Sequence, residues 1–356
     1  MKVCTIVGNR PQFIKEAPVS IQLSKHGIKE VLIHTGQHYD ANMSDVFFDN
    51  LELPKPDYHF SIIHRSHGAM TGEILTKIEE VLVKEQPDYT IIYGDTNSTL
   101  AGALAAVKLH IPVMHIEAGV RIYDLTAPEE VNRVLASHIT TIHCCCPQHN
   151  VDNLEKEGIT KNVYLTGDVM LDAFKIFSEK AKQTSSIIEK LGLKDTPYVL
   201  ITFHRPENID SKEGCLQLIR LMEQIPHNVV FPIHPRTKNS FVNHGLMAQL
   251  EHISKLTLLE PISYLDTINL INHCAFVVTD SGGLQREAFF AKKYCYFFYF
   301  DGCWPELEEI GWQTRYNLFE NKFDFSKVIG DDYPNNQFGN GNASENIVKL
   351  LKDFKK

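Results

Sequence analysis

The stretch Lys2-Val3-Cys4-Thr5-Ile6-Val7-Gly8-Asn9-Arg10-Pro11-Gln12-Phe13-Ile14-Lys15 decides the fold. Lys2–Val7 is an apolar, β-branched run and reads as a buried strand. Gly8-Asn9-Arg10-Pro11 turns the chain, and Lys15–Lys25 continues with helical spacing. The pattern then repeats. Val31–Thr35, Tyr89–Tyr93, Val113–Ile116 and Thr141–Cys145 read as strands, with helical stretches at Ala69–Lys84, Thr99–Leu109 and Val131–His138 between them. A second series follows at Val163–Thr166, Tyr198–Thr202, Val229–Ile233, Leu256–Leu259, Phe276–Thr279 and Tyr294–Tyr299. Its helices fit Ser211–Ile225, Tyr264–His273 and Gln285–Ala291. Alternation of this kind implies an α/β fold built on parallel sheets.

The chain is long enough for two domains. The alternation restarts after Pro147–Gly158, so the expected division is 1–167 and 168–343, each Rossmann-like and facing a cleft. Residues 344–356 read as a helix, with Ile347, Leu350, Leu351 and Phe354 apolar, that packs back on the first domain. Tyr333–Asn342, rich in Gly and Asn, reads as a loop.

Composition narrows the function classes. A net charge of −9 argues against nucleic-acid binding, and no run approaches the length of a membrane span. Met1–Cys4 leads directly into a strand, so no signal peptide is expected and the expected location is the cytoplasm. The eight cysteines include Cys144-Cys145-Cys146 but no Cys-x-x-Cys pair. They read as reduced, buried residues, and no metal site is expected.

Five polar motifs sit where strands end, the place at which open α/β sheets bind ligands. The first is Gly8–Lys15. There Gly8 suits a close ligand approach, Arg10 suits a diphosphate, and Lys15 lies early in the helix. Asp95, in Gly94-Asp95-Thr96-Asn97-Ser98-Thr99, suits either a helix cap or a functional acid. Three other residues in the motif are able to cap, which favours the acid. Glu117, in His115-Ile116-Glu117-Ala118-Gly119, shares a strand face with His115, and buried glutamates are rare unless paired or functional. Glu129 and Glu130 open a helix and suit its dipole, and Glu129 with Arg133 suits an i, i+4 ion pair. His204 and Arg205 follow the strand Val199–Thr202, and His234-Pro235-Arg236 repeats the theme. Asp280-Ser281-Gly282-Gly283 joins a strand to a helix and is the best phosphate candidate. Glu287, one turn in, is placed to accept bonds from two ribose hydroxyls. No Walker loop and no Gly-x-Gly-x-x-Gly is present, which disfavours ATP hydrolysis and nicotinamide chemistry. Acids, cations and a Ser-Gly-Gly turn together suit a sugar attached to a diphosphate.

In this order and collinear from Met1 to about Leu351, the motifs resemble the non-hydrolysing UDP-N-acetylglucosamine 2-epimerase family. The resemblance implies a GT-B-like fold, a homodimer, no redox cofactor and inversion of C2 in a UDP-linked N-acetylated sugar, through UDP elimination and re-addition. It implies Asp95, Glu117 and Glu129 as catalytic acids and His204 as the group assisting the departing diphosphate. Arg10, Lys15, Arg133, Ser281, Gly282 and Gly283 become diphosphate and sugar contacts, and Glu287 the ribose anchor. Gln37 and His38 fall where relatives contact a second, activating sugar nucleotide. His234-Pro235-Arg236-Thr237 and Glu309-Ile310-Gly311-Trp312 resemble the branch acting on UDP-2,3-diacetamido-2,3-dideoxy-glucuronate, where Arg236 is a candidate for the sugar carboxylate, the phosphates or solvent. The segment Asp301–Trp304 departs from the family pattern and bears on sugar identity. A hydrolysing UDP-sugar 2-epimerase is the second reading. A GT-B glycosyltransferase and a nucleotide-sugar sensor remain further alternatives.

Overall fold

The computed structural model describes residues 1–37, 48, 54–63, 66–299, 304–320, 322–327 and 333–354. It divides into two compact units, Met1–Lys175 with Asn335–Lys356, and Ile176–Pro334.

The first unit runs β1 (Lys2–Val7), α1 (Arg10–Lys25), β2 (Lys29–His34), β3 (Tyr58–His59), α2 (His67–Glu85), β4 (Tyr89–Tyr93), α3 (Asn97–Lys108), β5 (Val113–Ile116), α4 (Pro128–Ile139), β6 (Ile142–Cys145), α5 (Gln148–Lys156) and β7 (Val163–Leu165). Helix α6 (Val169–Thr184) then begins in the first unit and ends in the second. The second unit continues with α7 (Ile187–Lys190), β8 (Tyr198–Thr202), α8 (Pro206–Ile209), α9 (Lys212–Gln224), β9 (Asn228–Pro232), α10 (Pro235–Asn243), α11 (Met247–Glu251), β10 (Leu256–Leu259), α12 (Tyr264–His273), β11 (Phe276–Thr279), α13 (Gly282–Phe290), β12 (Tyr294–Phe297), α14 (Glu306–Glu309) and β13 (Gln313–Arg315). The chain returns to the first unit with α15 (Ala343–Asp353).

Both sheets are parallel throughout their described pairs. Their orders are β3-β2-β1-β4-β5-β6-β7 and β10-β9-β8-β11-β12-β13. Each order reverses once, between β1 and β4 and between β8 and β11. Neighbouring connections diverge there and leave room for a ligand at the strands' carboxyl ends. Burial on both faces explains the continuous apolar strands. Cys4, Ile6, Ile33 and Ile92 pack under α2 and α3, and Val199, Ile201 and Phe231 pack under α9. Each such side chain contributes about 1.5–3 kcal/mol.

The division differs from the one expected at 167/168 and 343/344. The start of α6 is tied to the returning chain within the first unit. Asp168 donates its main-chain N–H to Phe338 O at 2.9 Å. The Asp172 carboxylate accepts from Ala343 N, Ser344 N and Ser344 Oγ, and Lys175 reaches Asn340 O at 2.6 Å. The C-terminal helix packs against α1, as expected, and Tyr89 donates its hydroxyl to Phe354 O.

Candidate functional site

In the first unit the polar residues gather at the ends of β1, β4 and β5. Asn9 caps α1 by accepting from Gln12 N at 3.1 Å, which places Arg10 and Pro11 in the first turn and Lys15 one turn in. Gln12 fastens the turn. Its carbonyl accepts from Gly8 N, and its amide donates to Tyr93 O and to the hydroxyls of Thr96 and Thr99. Gly8 serves this packing rather than a ligand, since a Cβ there would lie 2.1 Å from Ser98 Oγ and 2.7 Å from Thr35 Oγ1.

Lys15 is buried, and its ammonium lies 2.7 Å from Glu117 Oε1. Glu117 stands one residue past β5 at φ 65, a left-handed conformation that costs a non-glycine residue energy and recurs at functional positions. That break replaces the expected shared strand face with His115. The two residues meet instead at Gly94: a methyl there would lie 3.6 Å from Glu117 Oε1, and His115 Nε2 bonds Gly94 O at 2.7 Å. Burial pushes the His115 imidazole down to about 4, so the neutral ring donates to that carbonyl.

Asp95 lies beside this turn. Its Oδ2 accepts from Arg133 Nη2 at 2.5 Å and from Nε at 3.0 Å. Arg133 also pairs with Glu130 at 2.9 Å. Glu130 is buried and accepts from the main-chain N–H groups of Ile122 and Tyr123, whereas Glu129 is exposed in the first turn of α4. Arg133 therefore reaches Glu130 at i, i+3, a partner other than the i, i+4 one expected at Glu129. Asn132 adds a bond to Asp95 O. Thr96, not Asp95, caps α3, and it does so reciprocally with Thr99. Gln37 accepts from Ser98 N and Oγ at the start of α3. His38 lies outside the described residues.

In the second unit the ends of β8 and β11 are joined by Asp280, a fully buried residue that sequence reasoning left without a role. Its carboxylate accepts from His204 N, Arg205 N and Asn208 Nδ2 at 2.8–3.1 Å, and it faces His204 Nδ1 at 3.2 Å. His204 itself is 37% exposed, so the imidazole is oriented from behind and open in front. The ring of His234 lies 5.4 Å away. Burial, followed by the charge of His204, lowers the His234 imidazole. Arg205 stacks 4.4 Å over the Tyr299 ring.

Ser281 caps α13 by accepting from Leu284 N. Methyl groups at Gly282 and Gly283 would meet nothing closer than 3.7 Å, so the protein's own packing does not demand glycine at either position. The opening at this helix N-terminus suits an anion approaching the backbone. Glu287, buried one turn in, accepts from Tyr264 at 2.7 Å. Arg236 is exposed and pairs bidentately with Asp210 at 2.9 and 2.6 Å. Of the divergent segment, Trp304 is described: Arg286 lies 4.0 Å over its ring. Asp301, Gly302 and Cys303 lie outside the described residues.

Sequence reasoning placed the strand-end residues but missed their supports, Gln12, Glu130, Asn132, Tyr264 and Asp280. Two of these carried a signal. Asp280 opens the Ser-Gly-Gly motif, and Glu130 falls one helical turn before Arg133.

Residues 21–352 match the model of the UDP-N-acetylglucosamine 2-epimerase family. The chain is 42% identical to a UDP-N-acetylglucosamine 2-epimerase homolog of Methanococcus maripaludis, over 99% of this chain and 100% of that one. It is 39% identical to the UDP-2,3-diacetamido-2,3-dideoxy-D-glucuronate 2-epimerase of Pseudomonas aeruginosa, over 99% of each. Its fold matches the crystal structure of the Methanocaldococcus jannaschii UDP-GlcNAc 2-epimerase in complex with UDP-GlcNAc and UDP, with a TM-score of 0.87, 34% identity and 99% coverage of both chains. The Neisseria meningitidis UDP-GlcNAc 2-epimerase bound to UDP-GlcNAc matches with a TM-score of 0.85 and 30% identity, over 99% of this chain and 100% of that one. With two parallel Rossmann-like sheets and the GT-B-like architecture of these enzymes, the chain belongs to the UDP-N-acetylglucosamine 2-epimerase family of isomerases.

Proposed function

We propose that this protein inverts C2 of a UDP-linked N-acetylated amino sugar, UDP-GlcNAc or its 2,3-diacetamido-glucuronate analogue, for surface polysaccharide precursors. The observation that carries the reading is the pairing of two acids at one strand-end turn. Glu117 is held by Lys15 beside Gly94, and Asp95, the next residue, is held by Arg133.

In this reading a carboxylate takes the C2 proton while the C1–oxygen bond breaks, giving a glycal and UDP. Re-addition of UDP with proton return to the opposite face gives the manno sugar. Abstraction and return from opposite faces need two groups, and Asp95 and Glu117 are the pair this turn offers, with Glu129 the third acid that the family motif implies. The leaving diphosphate needs donors and positive charge. His204, Ser281 and the free N–H groups of Gly282 and Gly283 supply them in the second unit, with Arg10, Lys15 and Arg133 in the first. Glu287 is the ribose anchor, and Gln37 with His38 the contact for an activating nucleotide. A homodimer in the cytoplasm belongs to the same reading.

Anion-exchange separation of products tests it. At least one of the two UDP-sugars should become a gluco and manno mixture, with no UDP or free sugar accumulating. Free sugar released at the rate of substrate loss would overturn it in favour of hydrolysis.

A further inference from the structure

The two acids proposed to act at C2 leave the sheet at one level. Tyr93 and Ile116 are register partners at the ends of β4 and β5. The residues that follow them, Gly94 and Glu117, both turn left-handed, at φ 60 and φ 65, and Asp95 comes directly after the first turn. Both main-chain polar groups of Gly94 are bonded to β5. Its N–H donates to Ile116 O at 3.0 Å, and its carbonyl accepts from His115 Nε2 at 2.7 Å. A carbonyl only accepts, so the buried, neutral ring carries its proton on Nε2. The other ring nitrogen, Nδ1, has no hydrogen-bond partner among the described residues. An apolar side chain of similar size would pack there without an unpaired nitrogen, so the bond to Gly94 is what a histidine adds. His143, the register partner of His115 on β6, directs its Nε2 to Ser137 O of α4 at 2.9 Å instead.

We propose that His115 is a positioning residue for the epimerisation, fastening the Gly94 turn to β5 and so setting the spacing of Asp95 from Glu117, a role that rests on those proposed above for the two acids. Taking the C2 proton from one face and returning it to the other needs two carboxylates held at a fixed separation across one carbon. Arg133 and Asn132, from α4, bond Asp95, and Lys15, from α1, bonds Glu117. In those bonds each support reaches one acid. The His115 bond joins the strand that carries Glu117 to the turn that carries Asp95. The main-chain bond to Ile116 O holds the amide side of Gly94. His115 holds the carbonyl side, which is the peptide leading into Asp95. A glycine has little conformational preference of its own, so without that bond the peptide is free to rotate and carries Asp95 with it. The diphosphate contacts proposed in the second unit lie on other elements and stay as they are.

The test compares variants with and without the donor. His115→Met keeps the bulk and removes the N–H. His115→Asn, whose amide ends short of Nε2, also lacks the bond and serves where methionine does not fold. His115→Gln returns an N–H near the position of Nε2. The expected result is a kcat about 10- to 100-fold lower in His115→Met and His115→Asn, with KM and UDP affinity by calorimetry within about twofold. His115→Gln should recover to within about fivefold of the parent chain. His143→Met removes the matching histidine of β6, and should lower Tm while kcat stays in place. A second readout needs no turnover. Hydrogen exchange at the Gly94 amide should be at least about tenfold faster in the variants without the donor than in the parent chain or His115→Gln. An unchanged kcat or exchange rate in the variants without the donor overturns the proposal. So does an equal loss of kcat in His115→Gln or in His143→Met. A parent chain that turns over neither UDP-sugar would refute the epimerase reading, while the exchange rates still decided whether His115 holds the turn.

Discussion

Replacing Glu16 with methionine should stabilise the protein, and increasingly so as pH rises. Glu16 lies on the face of α1 that meets the sheet and is fully buried, and neither carboxyl oxygen has a hydrogen-bond partner among the described residues. Ser20, one turn along, gives its hydroxyl proton to Glu30 at 2.6 Å. Burial, and then the charge of Glu30, push the Glu16 carboxyl well above the usual carboxylate range. The folded chain thus keeps a proton that the unfolded chain releases near pH 4.3. The stability linked to that proton is fully present below the unfolded value. It is lost as pH rises toward the folded value, at about 1.4 kcal/mol per pH unit. A neutral buried carboxyl without a partner costs about 1–3 kcal/mol in addition. Methionine removes both penalties at similar volume. Glu16→Met should therefore be more stable by about 1–3 kcal/mol near pH 4, with the difference widening at higher pH. Both tryptophans, Trp304 and Trp312, lie in the second unit, so fluorescence reports the wrong unit. Hydrogen exchange of the β1 and β4 amides in a urea series at pH 5, 6.5 and 8 reads the first. A stability difference that does not grow with pH would show that burial does not hold Glu16 protonated, as would a variant less stable throughout.

Asp95→Asn and Glu117→Gln should each lower turnover at least about 100-fold while calorimetry shows UDP binding intact; full activity in either variant sinks that assignment. Asp280→Asn exchanges an acceptor of three donors for a group that is half donor. The expected loss is about 1–3 kcal/mol of stability with slower turnover at every pH, and an unchanged Tm would contradict this. Glu287→Gln should weaken UDP about tenfold, or roughly 1.4 kcal/mol, by calorimetry; equal affinity would remove the ribose role.

The strands that end in polar motifs were legible because parallel strands buried on both faces must be continuously apolar. Lys2–Val7, Tyr89–Tyr93 and Tyr198–Thr202 were read to the residue. The two-residue β3 and the polar β13 carry no such run and were not found. Helix α5 is mostly polar and reads in the sequence as the break between domains. Single-residue chemistry was harder to read. Glu129 and Glu130 are adjacent in sequence, and only the helix phase buries one and exposes the other. Gly8 reads as a ligand position until Ser98 and Thr35 close on it, whereas Gly282 and Gly283 stay open. The meeting of Glu117, Cys146 and Asp168 depends on three separate element ends, and no local spacing encodes it.

Proton NMR of the purified protein in D2O, with UDP-GlcNAc and then UDP-2,3-diacetamido-glucuronate, follows the proton at C2 itself. Epimerisation through proton exchange should give a manno-configured UDP-sugar carrying deuterium at C2 from at least one of them. A product that keeps its C2 proton, or no change in either sugar at equilibrium, would contradict it.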